Sequence, residues 1–357
     1  MTRNGNNLKR TNLTSDEMAT GAHDAPPIDE IRPDRTVRHI PLKPHQLTER
    51  ITPRQDVFVL GHVGIPRAHA ENWWLDIAGL VDRPRRWSYA ELRALPKRTV
   101  TALHECAGFP ARPDIATRRY ANVIWGGVDL SFLLRDAGVQ QDACFLWSFG
   151  IDKGAFEDVT SRVYLKDMPL NRLADGDILL AYEMNGEPLD SEHGYPLRLV
   201  IPGYYGTNLV KWLYRIELSD RRPNGPYTTK YYNDPVSPSA DNPMGGTKPL
   251  WVLPPESVIV SPAPQDVLRR TDTLIWGWAW AGSGLSHIDV STDGGHQWAP
   301  AELETEAGWA WRRFTFPWKP SQAGSYSLAS RAFDIQGVAQ PSDNARNAIH
   351  RVPVSVE

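Results

Sequence analysis

From about residue 256 to the end of this 357-residue chain, every apolar segment alternates with a period of two. That period is the signature of half-buried strands, and nothing in this part of the chain has helical spacing. Thr273 to Trp280 reads TLIWGWAW. Ile288 to Trp298 carries the turn Asp293-Gly294-Gly295. Trp309 to Trp318 and Tyr326 to Phe333 alternate again. Short strands separated by Gly and Pro turns predict an all-β sandwich of about a hundred residues over 256–357.

The sequence upstream has a different texture. Residues 1–45 are polar with scattered Pro, Asn and Asp, and are read as a flexible N-terminal arm. Trp73 to Leu80 is strand-like. Ser88 and Glu91 form a capping-box pattern ahead of Leu92 and Leu95, which predicts a short helix. Val128 to Ala137 is apolar at helical spacing, with Gly138 at the position that ends helices. Ile178 to Glu183, Tyr195 to Ile201 and Val210 to Leu218 read as strands, with Asn185-Gly186 as a turn. Short helices and strands without a βαβ rhythm predict an α+β domain over 46–225. A stretch rich in Pro, Asn, Gly and Ser follows, and 226–255 is read as a connecting segment that wraps over the first domain.

Composition narrows the function classes. Lys and Arg number 39 against 42 Asp and Glu, a formal charge of −3, and basic runs such as Arg118-Arg119 are short. No nucleic-acid partner is expected. The longest apolar stretches are strand-length, so no membrane span is expected. The first residues show neither an apolar h-region nor a twin-arginine pair, which predicts the cytoplasm. Two cysteines, Cys106 and Cys144, make no disulfide framework and are too few for an iron–sulfur cluster from this chain alone. No C-x-x-C-H string marks a heme.

Three segments could carry chemistry. Cys106 stands in Leu103-His104-Glu105-Cys106-Ala107-Gly108-Phe109-Pro110, where Gly and Pro place it on a turn after a strand. Glu192 to Arg198 sets His193 and Arg198 on either side of a tight turn, suited to an anion. Gly203-Tyr204-Tyr205-Gly206 offers backbone N–H groups, and Lys211 follows. Each has a plainer explanation. A lone cysteine is usually packing, His193 and Arg198 can pair with Glu192 or Asp190, and the glycines can serve a turn alone. His104 and Cys106 supply too few ligands for zinc.

Taken together the segments resemble the sulfite oxidase family. The string AYEMNGEPLDSEHGYPLRLVIPGYYGTNLVKWLYRIEL, Ala181 to Leu218, is similar to that family's core, and Glu105 to Gly108 resembles its cysteine motif. Asp289 to Trp298 and Trp309 to Arg312 resemble its immunoglobulin-like dimerisation domain. The resemblance spans roughly 46–357. It implies a molybdopterin cofactor with one molybdenum per chain, ligated by Cys106, and no heme in this chain. Phe58, Val59, Leu60, Gly61 and His62 match a cofactor-binding stretch of the family. Asp152, His193, Arg198, Leu209, Val210 and Lys211 match further contacts. The family's tyrosine beside the metal falls on Tyr232, with Tyr231 the alternative one register away. His62 would support hydrogen bonding in the pocket. The resemblance also implies oxygen-atom transfer, a homodimer, a separate cytochrome c-like or quinone-linked electron carrier, and the periplasm as the alternative compartment.

The departures from the family concern the substrate. Its sulfite-binding arginine is Leu60 here, and the next residue is Gly61 in place of Asn. Phe109-Pro110-Ala111 replaces an Asn-Arg-Arg run, with Arg112 one position later as the candidate replacement. Arg346, in the shortened C-terminal loop, is a further candidate. Each lost Arg–oxyanion bond is worth ~1.5–3 kcal/mol, so weak or absent sulfite oxidation is expected. The substrate class is then sulfite or a related small oxyanion or sulfur compound. Sulfoxide-type reduction is the rival reaction, and a non-catalytic binding or scaffold descendant is the rival class.

Overall fold

The computed structural model describes residues 24–32, 36–38, 42–107, 119–156, 159–238, 244–305, 308–343 and 345–357. Two five-stranded sheets build the first part of the chain. In one, the strands run in the order Tyr164–Pro169, Phe145–Gly150, Leu213–Ser219, Trp74–Gly79, Arg85–Ser88. Only Leu213–Ser219 against Trp74–Gly79 is parallel. The other joins Glu187–Pro188, Leu179–Met184, Tyr120–Asp129 and Lys97–Glu105, with Arg198–Val200 also paired to Leu179–Met184.

Helix is a minor component: two short α-helices, Tyr89–Ala94 and Leu130–Ala137, among the described residues. The first has the expected capping box. Ser88 Oγ accepts from Glu91 N at 3.2 Å, and Glu91 Oε2 accepts from Ser88 N at 2.8 Å. The second begins at Leu130, two residues later than its spacing suggested. Val128 and Asp129 complete the strand Tyr120–Asp129, and Asp129 caps the helix by accepting from Ser131 N at 2.8 Å. Gly138, at φ +70°, ends it as expected.

The arm expected over 1–45 is not irregular throughout. Ile28–Arg32 pairs with Ile65–Ala68, and Thr36–Arg38 pairs with Val59–Gly61. Polar edge strands are easily mistaken for coil, because half of each faces water. The Asn185-Gly186 turn is present, with both residues at positive φ, but it leads into Glu187–Pro188 and not directly into Arg198–Val200. Within the expected connection, Asn233–Val236 pairs with Gly246–Pro249.

The C-terminal part is a sandwich. Glu256–Ser261, Thr273–Trp280, Arg312–Trp318 and Glu302–Leu303 form one sheet. Val267–Leu268, Arg351–Val356, Gly324–Asp334, Leu285–Ser291 and Ala299–Pro300 form the other. Ile259, Ile275, Ile288, Phe314, Leu328 and Val352 fill the space between them.

A second apolar cluster joins the two parts. Leu103, Ala107 and Tyr120 from the first pack with Val258, Trp278, Trp280 and Trp311 from the sandwich. Trp278 and Trp311 stack with ring centroids 4.9 Å apart, and their indoles donate to the carbonyls of Leu47 and Arg50. Trp311 is fully buried. Trp311→Ala is expected to lower stability by about 3–5 kcal/mol, measured by chemical unfolding.

Candidate active site

A cleft opens where these elements meet. The short strand Val59–Gly61 and its flanks supply Phe58, Leu60 and His62 to its wall. The strand end at Lys97–Glu105 supplies His104 and then Cys106. The bend after Phe145–Gly150 supplies Asp152, and the strand Tyr164–Pro169 supplies Tyr164. The loops around Arg198–Val200 give Glu192, His193, Arg198, Gly206, Thr207, Leu209, Lys211 and Trp212. The connection between the domains delivers Tyr232.

Ten of the residues singled out in the sequence therefore meet here: Phe58, Leu60, His62, Cys106, Asp152, His193, Arg198, Leu209, Lys211 and Tyr232. Three do not join the lining. Val59 turns into the core, as strand alternation demands once Phe58 and Leu60 face the cleft, Val210 is buried in the same core, and Gly61 lies against Gly64 and Ile65. Arg112 and the run Phe109-Pro110-Ala111 lie outside the described residues. Arg346 does not reach the cleft: it forms a two-pronged pair with Asp234, at 2.8 and 2.9 Å. Between the two tyrosine alternatives, Tyr232 lines the cleft, whereas Tyr231 packs on Tyr227.

Sequence reasoning missed His104, Tyr164, Thr207, Trp212 and Arg119. Arg119 was visible only as half of a short basic pair, yet its Nη1 lies 3.5 Å from Cys106 Sγ. The strand pairing Glu105↔Tyr120 brings them together, and Cys106 N donates to Arg119 O at 3.1 Å.

The cations are held by carbonyl oxygens. Arg198 donates to His193 O and Leu209 O, at 3.0 and 3.2 Å. Lys211 donates to Leu60 O and Glu192 O, at 2.9 and 2.8 Å. These carbonyl oxygens fix the side chains in place. Burial, with the nearby Arg198 charge, pushes Lys211 below its ordinary value, and burial pushes Asp152 up. Burial also pulls Arg198 down, to about 9.

His193 contacts both carboxylate oxygens of Asp190 through Nδ1, at 2.8 and 2.9 Å. That leaves Nε2 buried and without a partner. At the other end of the cleft Tyr232 Oη hydrogen-bonds His62 Nε2. Tyr232 and Trp212 are both left-handed, at φ +59° and +49°. Non-glycine residues hold that conformation only where their surroundings impose it. The Trp212 indole donates to Ser191 O at 2.8 Å, and the backbone oxygen of Tyr232 accepts from Leu250 N.

The donor set fits a molybdopterin cofactor. The lining holds a thiol, two buried basic side chains and an imidazole. Buried polar atoms without protein partners line the space: His104 Nδ1, Asp152 Oδ1, His193 Nε2 and Arg198 Nε. Such atoms are rare in proteins and suit a ligand rich in hydrogen-bonding edges.

Comparison with known proteins agrees. Residues 62–227 match the model for the oxidoreductase molybdopterin binding domain, and 247–354 match the Mo-co oxidoreductase dimerisation domain. The mitochondrial sulfite oxidase of Drosophila melanogaster is 30% identical over 85% of this chain and 59% of its own length. The sulfite oxidase of Gallus gallus is 31% identical over 84% and 70%. The chain spans about three-fifths of the length of the first curated relatives it matches. The sulfane dehydrogenase SoxCD from Paracoccus pantotrophus superposes with a TM-score of 0.73 at 28% identity, covering 98% of this chain and 92% of that one.

Burial alone would raise the Asp190 carboxyl, but the His193 hydrogen bonds and the Arg54 charge outweigh it and hold it well below the usual range. A depressed carboxylate stabilises the fold fully above its unfolded value near ~3.9, and loses that contribution as pH falls toward the folded value. Asp190→Asn should therefore unfold more easily than wild type at pH 6. The gap should close below about pH 4, as followed by urea melts across that range.

Proposed function

This chain belongs to the sulfite oxidase family of molybdopterin-binding oxidoreductases, and we propose that it transfers an oxygen atom to or from a weakly charged sulfur compound. The observation that carries the substrate class is the wall around Leu60. Leu60, Tyr164, Thr207 and Tyr232 present neutral groups where the family resemblance implies an arginine at position 60. Of the described cations, Arg198 and Lys211 would hold an anionic cofactor end, and Arg119 is turned onto the Cys106 sulfur and is not part of this wall. A dianion such as sulfite would have to shed its hydration against the neutral wall without a matching charge. The likeness to a sulfane dehydrogenase supports a reduced sulfur substrate.

Cys106 would ligate the molybdenum, with Arg119 donating toward the sulfur. His193, Arg198 and Lys211 would hold the phosphate, and Asp152 would accept from the pterin. When bound, the cofactor supplies two-electron oxygen-atom exchange. Tyr232 Oη and His62 Nε2 share a proton beside the reacting atoms, so this pair can orient the substrate oxygen and carry a proton to or from it. Leu60 and the ring of Tyr164, itself fixed through Tyr164 Oη to Thr207 O at 3.0 Å, keep water from that side. Electrons would leave to a separate carrier. The C-terminal sandwich, immunoglobulin-like in its two-sheet build, would pair two copies of the chain.

Cys106→Ala should purify with little molybdenum and turn over no substrate. Full activity in that variant would sink the central reading. Tyr232→Phe should lower kcat by about ten- to a hundredfold with KM little changed. Steady-state assays with an artificial electron acceptor compare substrates: micromolar sulfite turned over at rates ordinary for enzymes would overturn the weakly charged substrate.

A further inference from the structure

His104 lies on the strand Lys97–Glu105 two residues before Cys106, and it is 5% exposed. Its ring lies flat on Phe58, with centroids 4.7 Å apart and planes 6° from parallel. Trp125 packs against it edge-on at 5.7 Å. Gly206 closes the other side: a Cβ there would stand 2.9 Å from His104 Cε1 and 3.0 Å from Glu105 O. The loop is therefore glycine because the imidazole occupies the space.

A neutral imidazole carries one donor and one acceptor. His104 Nδ1 is buried and meets no protein partner, and the ring shares the cleft wall with Cys106 and Arg198. Packing gives no reason for a histidine at this position. A phenyl ring would stack on Phe58 and Trp125 equally well, without an unsatisfied polar atom. We infer that His104 is a cofactor contact, which hydrogen-bonds to the polar edge of the group that Cys106 ligates. A pterin offers both donors and acceptors, the complement of such a ring. The inference rests on the molybdopterin reading above and adds a residue to it.

The test replaces His104 by Phe and by Gln in the full chain. Each variant and the wild type are made with cofactor and, in a host unable to synthesise it, without. Pterin and molybdenum remaining after dialysis are followed over time, and thermal melting is measured on the cofactor-free proteins. Cofactor-free His104→Phe should melt at or above wild type, while the loaded variant loses pterin about tenfold faster, the effect of one lost hydrogen bond. His104→Gln, which keeps a donor and an acceptor, should fall between. Retention by His104→Phe equal to that of wild type overturns the inference. So does a cofactor-free His104→Phe that melts well below wild type or fails to fold, because the histidine is then a packing residue. A wild type that carries neither molybdenum nor pterin from a competent host removes the cofactor reading itself, which separates that failure from failure of His104 alone.

Discussion

The placement of Cys106 depends on a buried hydrogen bond between the two parts of the molecule. Trp280 Nε1 donates to Glu105 Oε2 at 3.0 Å. Glu105 is the last residue of its strand, so the sandwich grips the chain one residue before the sulfur. Two residues earlier, Leu103 N donates to Trp309 O at 2.9 Å. A single protein thiolate can direct a metal only if its Cα is held more tightly than a surface turn permits. Here the turn's first half is part of an interdomain interface. The second domain thus has a local structural task beside any role in pairing two chains. Damage to the Trp278–Trp311 stack should reach the sulfur through this route.

The remainder of the cleft follows a related rule: charge is fixed in position without being neutralised. Arg198 and Lys211 spend four hydrogen bonds on carbonyl oxygens, and Arg198 also lies over the Trp125 ring. An ion pair with a carboxylate would have anchored them as firmly and left no net field. Of the carboxylates facing these cations, Asp190 is occupied by His193 and Arg54, while buried Asp152 acts on Lys211 through charge alone. The result is a preorganised cationic end whose polar atoms are already desolvated, the arrangement that makes an anion's charge count for more than it does in water.

Local signals were readable from the sequence, and long-range register was not. The Ser88–Glu91 capping box, the Gly138 stop and the Asn185-Gly186 turn are decided by a few neighbouring residues, and all three formed. The strand that begins at Ile28 was missed because IDEIR lacks an apolar run; it is held by pairing with Ile65–Ala68, which composition does not announce. Cys106, Asp152, His193 and Lys211, singled out through family likeness, line one cleft. Val59 and Val210, singled out the same way, are buried outside its lining, because a motif match does not record which way a side chain faces. Tyr164 had no signal of its own, and His104 was weighed only against zinc. Both reach the cleft through sheet pairings, Tyr164 against Gly150 and His104 against Ala121, that exist only once the chain has folded.

The two halves of the cleft are under separate physical constraints, and this separates cofactor from substrate. The cationic half must satisfy a fixed chemical partner, so its cations and their carbonyl anchors form one mutually dependent set. The wall around Leu60, Tyr164 and Tyr232 meets that set only through the backbone oxygen of Leu60, which accepts from Lys211. Its rings are braced from behind: Tyr164 packs on Tyr227 at 4.6 Å, and Lys166 Nζ donates to Tyr227 O at 2.8 Å while facing the Tyr232 ring. Burial brings that amine down to about 7, so the positive charge behind this wall is weak near neutrality. Leu60 gives the cleft an apolar side chain while its backbone oxygen still anchors Lys211. A substitution of the side chain at this position can therefore change the charge of the wall and leave that bond in place.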